Sequence, residues 1–129
     1  MKIVMPLREN NGPESKVTGH PRMAPYFAVV EIDGTRQVSL NIIENPYRGE
    51  EHHHEEHHHE EHHQGGTQFF RFLEGLVPDA FISYNVGEGA FFRFREMGVK
   101  MYMPKGHTVK ENIDAFIAGE LKELAGPSD

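Results

Sequence analysis

Tyr26-Phe27-Ala28-Val29-Val30-Glu31-Ile32-Asp33-Gly34, answered by a second alternating run from Arg36 to Ile43, is the stretch that decides the fold. The first run is rich in β-branched and aromatic residues, which fit a pleated, packed surface. Asp33-Gly34 reads as a two-residue hairpin turn, because both positions tolerate positive φ. On the return strand Val38, Leu40 and Ile42 share one face, and Gln37, Ser39 and Asn41 the other. The spacing predicts a β-hairpin, ended by Asn45-Pro46-Tyr47-Arg48-Gly49.

Upstream of the hairpin, Lys2 to Leu7 reads as a short strand closed by Pro6, and the cluster Glu9-Asn10-Asn11-Gly12-Pro13 opens a loop that runs to about Pro25. Downstream the period changes. From Gly66 onward Phe69, Phe72, Leu73 and Leu76 recur at helical spacing, and Pro78-Asp79 stops the helix. Ala80 to Tyr84 reads as a buried strand, Asn85 to Gly89 as a loop, and Ala90, Phe91, Phe94 and Met97 as a second amphipathic helix ended by Gly98. Val99 to Met103 is the next strand and Pro104 to His107 the next loop. Thr108 with Glu111 forms a capping box for a third helix, with Val109, Ile113, Phe116, Ile117, Leu121 and Leu124 inward. A hairpin feeding strand–helix–strand units, with right-handed crossovers, predicts one α/β domain with a mixed five-stranded sheet and about three helices. The domain is expected over 1–125, with a polar insertion at about 49–64 and a flexible tail at 126–129.

The insertion dominates the composition. Glu50 to His63 consists of six Glu and eight His, and without it the formal charge falls from −7 to −1. The remaining near-neutral chain has no basic footprint for nucleic acid. No apolar run approaches the roughly 20 residues that a membrane-crossing helix needs. Met1-Lys2 leads directly into Ile3-Val4-Met5 without a signal-peptide layout, so a cytoplasmic location is expected. The cysteine count is zero, which excludes disulfides, thiolate nucleophiles and cysteine-ligated clusters.

The five-residue period of the tract keeps no single helical face, since each repeat advances a helix by about 500°. It still offers chelating pairs. His53/His57, His54/His58, His58/His62 and His59/His63 are four apart, as a helix would need, while His52/His54 and His57/His59 align in an extended chain. Neutral imidazole suits zinc, nickel, copper and iron. The tract cannot bury apolar surface, so it is expected to be disordered without metal and to bind ions as a reservoir rather than a catalytic centre. His20 and His107 stand alone and read as surface or capping residues. Phe70 and Phe92 lie off the faces of their helices, as parts of a wide apolar stripe or as a self-association patch.

Enzyme chemistry has little to work with. No nucleophile triad or paired-carboxylate spacing stands out, and strand interiors offer mainly Glu31 and Glu44, too few to hold magnesium for a hydrolase. The loops Asn85 to Gly89, Pro104 to His107 and Gly65-Gly66-Thr67 open helices at the sheet edge where ligands sit in α/β folds, with free N–H groups that attract anions.

These residues together carry a family resemblance. Lys2-Ile3-Val4-Met5-Pro6, His20 with Ala24-Pro25-Tyr26-Phe27, Ile43-Glu44-Asn45-Pro46, Asn85-Val86-Gly87 with Ala90-Phe91, Met97-Gly98-Val99-Lys100-Met101-Tyr102 and Gly119-Glu120-Leu121 occur in order over nearly the whole chain. In this the chain resembles the dinitrogenase iron–molybdenum cofactor biosynthesis family, of the NifX/NafY and NifB C-terminal type. The resemblance implies a ribonuclease-H-like α/β fold and a non-catalytic protein that binds and carries an iron–molybdenum cofactor or an iron–sulfur precursor cluster. His20 matches the histidine ahead of the family's Gly-Arg-Ala-Pro-Tyr-Phe motif, with Pro21-Arg22-Met23 here in place of Phe-Gly-Arg. The cluster is expected near His20, Arg22, Asn85, Gly87, Gly65 and Gly66, and zinc, nickel, copper or iron ions at His52, His53, His54, His57, His58, His59, His62 and His63. An acceptor protein or self-association would complete the function. The alternative is a regulatory or protein-interaction module whose tract is a metal buffer or a solubilising loop.

Overall fold

The computed structural model describes residues 1–47 and 68–127. The tract, with its eight histidines, and Gly65 and Gly66 lie outside the described residues. Six strands form one mixed sheet in the order β3-β2-β1-β4-β5-β6. They are β1 (Lys2–Leu7), β2 (Tyr26–Asp33), β3 (Arg36–Glu44), β4 (Ala80–Ile82), β5 (Lys100–Met103) and β6 (Lys122–Glu123). β1 pairs antiparallel with β2 and parallel with β4, and β4 pairs parallel with β5. Helix α1 spans 68–75 in its described part, α2 is Glu88–Glu96 and α3 is Val109–Ile117. This is the mixed α/β, ribonuclease-H-like arrangement expected from the sequence, with one strand more. Among the described residues, no helix is long and apolar enough to cross a membrane.

The alternation of the strands sorts the core into two faces. Val4, Phe27, Val29 and Phe81 meet Phe69, Phe70 and Leu73 of α1 and Phe91 and Phe94 of α2. Ile3, Met5, Ala28, Val30, Ala80 and Ile82 meet Val109 and Ile113 of α3 on the other side. Such a three-layer arrangement buries both sheet faces, as parallel pairs require. Phe70 is only 5% exposed, so it belongs to a wide stripe on α1, whereas Phe92 is 45% exposed.

Three local details differ from the reading of the sequence. The hairpin turn is Gly34-Thr35, because Asp33 already pairs with Arg36 and the glycine takes the positive φ of the first central position. The register between β2 and β3 slips after Glu31, leaving Val38 without an opposite residue and 59% exposed. A bulge of this kind blunts an edge strand against further pairing. Finally, α3 stops at Ile117 rather than running to Leu124. Gly119, at φ +75°, donates to Phe116 O and Glu120 N donates to Ala115 O, the paired bonds of a Schellman stop. Beyond it the chain is extended, with Leu121 packing on the α3 side and Leu124 on the other, and the sixth strand follows.

The capping box at the start of α3 forms as predicted. Thr108 Oγ1 accepts from Glu111 N at 3.1 Å, and Glu111 Oε1 accepts from His107 N at 2.6 Å and Thr108 N at 3.0 Å. The His107 and Thr108 N–H groups hold the Glu111 carboxyl below its ordinary range. A lowered folded-state pKa adds stability above the ordinary carboxylate range and loses it as pH falls through the lowered value. Thr108→Ala is expected to cost about 1 kcal/mol in urea unfolding. The stability gap between the native chain and Glu111→Gln should shrink from neutral pH to below the carboxylate range. A gap independent of pH would contradict the cap.

Candidate functional site

β1 runs antiparallel to one neighbour and parallel to the other, so the sheet changes direction there. Beyond the carboxyl ends of β1 and β4 this leaves a crevice. Two loops close over it. The first leaves β1 and returns at Thr18, whose N–H donates to Pro6 O at 2.9 Å. It continues through Gly19 and His20 into a single 3-10 turn at Pro21–Met23, with His20 at its N-cap. The second is Ser83 to Gly87, between β4 and α2.

Small contacts fix the two loops against each other. A Cβ on Gly19 would lie 3.0 Å from both Tyr84 Cβ and Asn85 Nδ2, so a side chain there would require the second loop to give by a few tenths of an ångström. Ser83, fully buried, donates its hydroxyl to Asn85 O at 2.8 Å and so turns the chain at the end of β4. Asn45, at the end of β3, ties down the far side of the first loop. Its Nδ2 donates to Ala24 O at 2.9 Å and to Arg22 O at 3.2 Å, while Oδ1 accepts from Tyr47 N at 2.9 Å. The side chain is 7% exposed, and its own N–H donates to Pro25 O. The turn carrying Arg22 is therefore held by a residue of another strand.

A cavity of about 750 Å³ lies between these loops, α1 and the start of α2. His20, Arg22, Asn85 and Gly87, four of the six residues expected at a cluster site, line it together. Gly65 and Gly66 lie outside the described residues. His107 is elsewhere, at the start of α3, where its backbone N–H serves Glu111. The cavity floor is apolar, with Phe70, Leu73, Phe81 and Phe94. α2 begins at Gly87 without a side-chain cap, and Gly89 and Ala90 of its first turn face the cavity. That end carries the positive pole of the helix.

Among the described residues the lining holds two arginines, Arg22 and Arg93, and no Asp or Glu. Also among them, no three His, Asp or Glu side chains gather as a metal-ion site. The cavity therefore suits an anion of some bulk better than a bare cation: His20 offers one imidazole, Met23 one thioether, and the arginines and helix start offer charge. The sequence reading missed Gly19, Asn45, Ser83 and Arg93. Arg93 had a signal, since it follows Gly89 by four residues and so shares its helix face.

A crevice at the direction change of a mixed sheet, with two arginines in a largely apolar lining, is the site that this α/β domain offers. The chain belongs to the dinitrogenase iron–molybdenum cofactor family, whose family model matches residues 1–119. It is 25% identical over 124 residues to an uncharacterized protein of Methanocaldococcus jannaschii, covering 96% of this chain and 92% of that one. The fold is similar to the apo form of the orange protein of Desulfovibrio gigas, with TM-score 0.75, 20% identity and coverage of 99% and 96%. It is also similar to a protein of Thermotoga provisionally described as NifB, with TM-score 0.71, 26% identity and coverage of 99% and 97%.

Proposed function

We propose that this protein binds and carries an anionic metallocluster, an iron–molybdenum cofactor or an iron–sulfur precursor, in the cavity between the His20 loop and α2. The cluster is cargo, received and passed on within the cytoplasm, and no chemical step is catalysed. One observation carries the reading: His20, Arg22, Asn85 and Gly87, distant in sequence, line a single cavity in which the described residues include no carboxylate. In it His20 supplies an imidazole to an outer metal, Arg22 neutralises cluster charge, and Asn85 with the first-turn N–H groups after Gly87 donates hydrogen bonds to the cluster's acceptor atoms. With no cysteine in the chain, the cluster keeps its own sulfur ligands.

The Glu/His tract is a second, separable part of the proposal, a collector of zinc, nickel, copper or iron ions through imidazole and carboxylate donors. A regulatory or interaction module is the alternative for the fold. Phe92, 45% exposed on α2, favours contact with an acceptor protein or a second copy, and a solution mass well above 14.7 kDa would support it.

Anaerobic titration with iron–molybdenum cofactor tests the cavity. The native chain should take up one equivalent, and His20→Ala and Arg22→Met should each bind roughly tenfold more weakly or worse, as loss of one ligand or one charged hydrogen bond implies. Native-like binding by both variants would refute the site.

A further inference from the structure

The cavity holds a second arginine that the family motif does not include. Arg93 lies in the second turn of α2, its guanidinium carbon 4.2 Å from the centroid of the Phe70 ring. Phe70 packs on Phe94 at 5.1 Å, and Phe94 on Phe81 at 5.0 Å. The guanidinium thus sits at the end of a row of three mutually tilted rings that rises from the core of the sheet, and a cation over a ring face is held in place by the ring's quadrupole. Arg93 is exposed and lines the cavity, and one turn earlier Gly89 has open space where a side chain would stand. Among the described residues, no carboxylate is paired with Arg22 or Arg93.

Arg22 approaches the cavity from the loop and Arg93 from the helix, and both line it. The geometry points to Arg93 as a specificity-determining residue that, with Arg22, restricts the cargo to species carrying at least two negative charges spread between them. This assignment rests on the cavity reading above. Phe70 holds the guanidinium ready without neutralising it, and a planar, weakly hydrated cation suits the large, soft surface of a cluster better than an ammonium would.

The test uses the full chain and a synthetic thiolate-ligated four-iron, four-sulfur cluster dianion, added anaerobically. Binding is read from the visible absorption of the intact cluster after equilibrium dialysis, so iron lost to the histidine tract does not count. Arg93→Met keeps the aliphatic contact with Phe70 and removes the charge. It should bind the dianion roughly tenfold more weakly, with a shallower dependence on ionic strength, as loss of one charge-assisted contact implies. Arg93→Lys should recover part of the affinity. Arg95→Met, which removes the same charge from α2 at a residue outside the cavity lining, should match the native chain. A merely structural Arg93 would change melting temperature and leave the salt dependence as it was, which would overturn the assignment. Equal binding by Arg93→Met and the native chain, or an equal loss in Arg95→Met, would overturn it alone. Failure of the native chain to bind the dianion would overturn the cavity reading and this assignment with it.

Discussion

Deletion of Glu50–His63 is expected to abolish the binding of several zinc or nickel ions while the fold stands. The eight tract histidines are four-fifths of the ten in the chain, and the other two, His20 and His107, lie in different places at the start of a 3-10 turn and the start of α3. The tract consists only of Glu and His, so it has no apolar side chain to give to a core. Shortening a connection between Tyr47 and α1 changes its closure entropy by roughly 1 kcal/mol or less, so the melting transition should move little. Titration calorimetry at neutral pH would show several ions per native chain and none per deleted chain. Solvated imidazoles titrate near pH 6.5 and ligate only when neutral. Acidification should therefore release the ions from the native chain between about pH 7 and pH 5. Unchanged zinc stoichiometry after the deletion, or full occupancy at pH 5, would place the ions elsewhere.

Asn45→Ala should be the most damaging change outside the hydrophobic core. It removes the donors to Ala24 O and Arg22 O and the acceptor for Tyr47 N at a nearly buried position. A buried polar group left without its partner costs about 1–3 kcal/mol, and these losses share one site, so about 2–4 kcal/mol in urea unfolding is expected. Asn45→Asp should do no better, because it turns an oxygen toward the two carbonyl oxygens that the amide now serves. The functional effect follows from the same contacts. With the Arg22 turn released, affinity for a cluster should fall even under conditions where the variant is fully folded. Stability within about 0.5 kcal/mol of the native chain would show that the clamp contributes little.

The parts of the fold legible in the sequence are those fixed by near neighbours. The hairpin from Tyr26 needs only alternation and a glycine turn, and the Thr108–Glu111 box needs only a three-residue spacing. The end of α3 is not legible in the same way, because Leu121 and Leu124 continue an apolar rhythm that also fits an extended chain. Gly119 decides between the two, since at φ +75° it closes the Schellman bonds and stops the helix. The bulge at Val38 depends on the register with β2, which the alternation of β3 alone does not contain.

The site divides in the same way. His20, Arg22, Asn85 and Gly87 could be named because motif likeness and the loop-to-helix edge single them out. The sequence shows Asn45 as part of a turn, but its role comes from carbonyls more than twenty residues earlier in the chain. Gly19 matters only because Tyr84 and Asn85 come within 3.0 Å of its missing side chain. Arg93 acquires its place from a ring on another helix. Each of these is a tertiary contact between residues that no local pattern connects.

We propose that the cavity, not the tract, carries a metallocluster. The most direct measurement is anaerobic elemental and acid-labile sulfide analysis of untagged protein lacking Glu50–His63, alone and with His20→Ala. Iron with sulfide, or molybdenum, should be retained by the deleted chain and lost when His20 is also replaced. Zinc or nickel that disappears with the tract, with no iron, sulfide or molybdenum left on the folded domain, would contradict it.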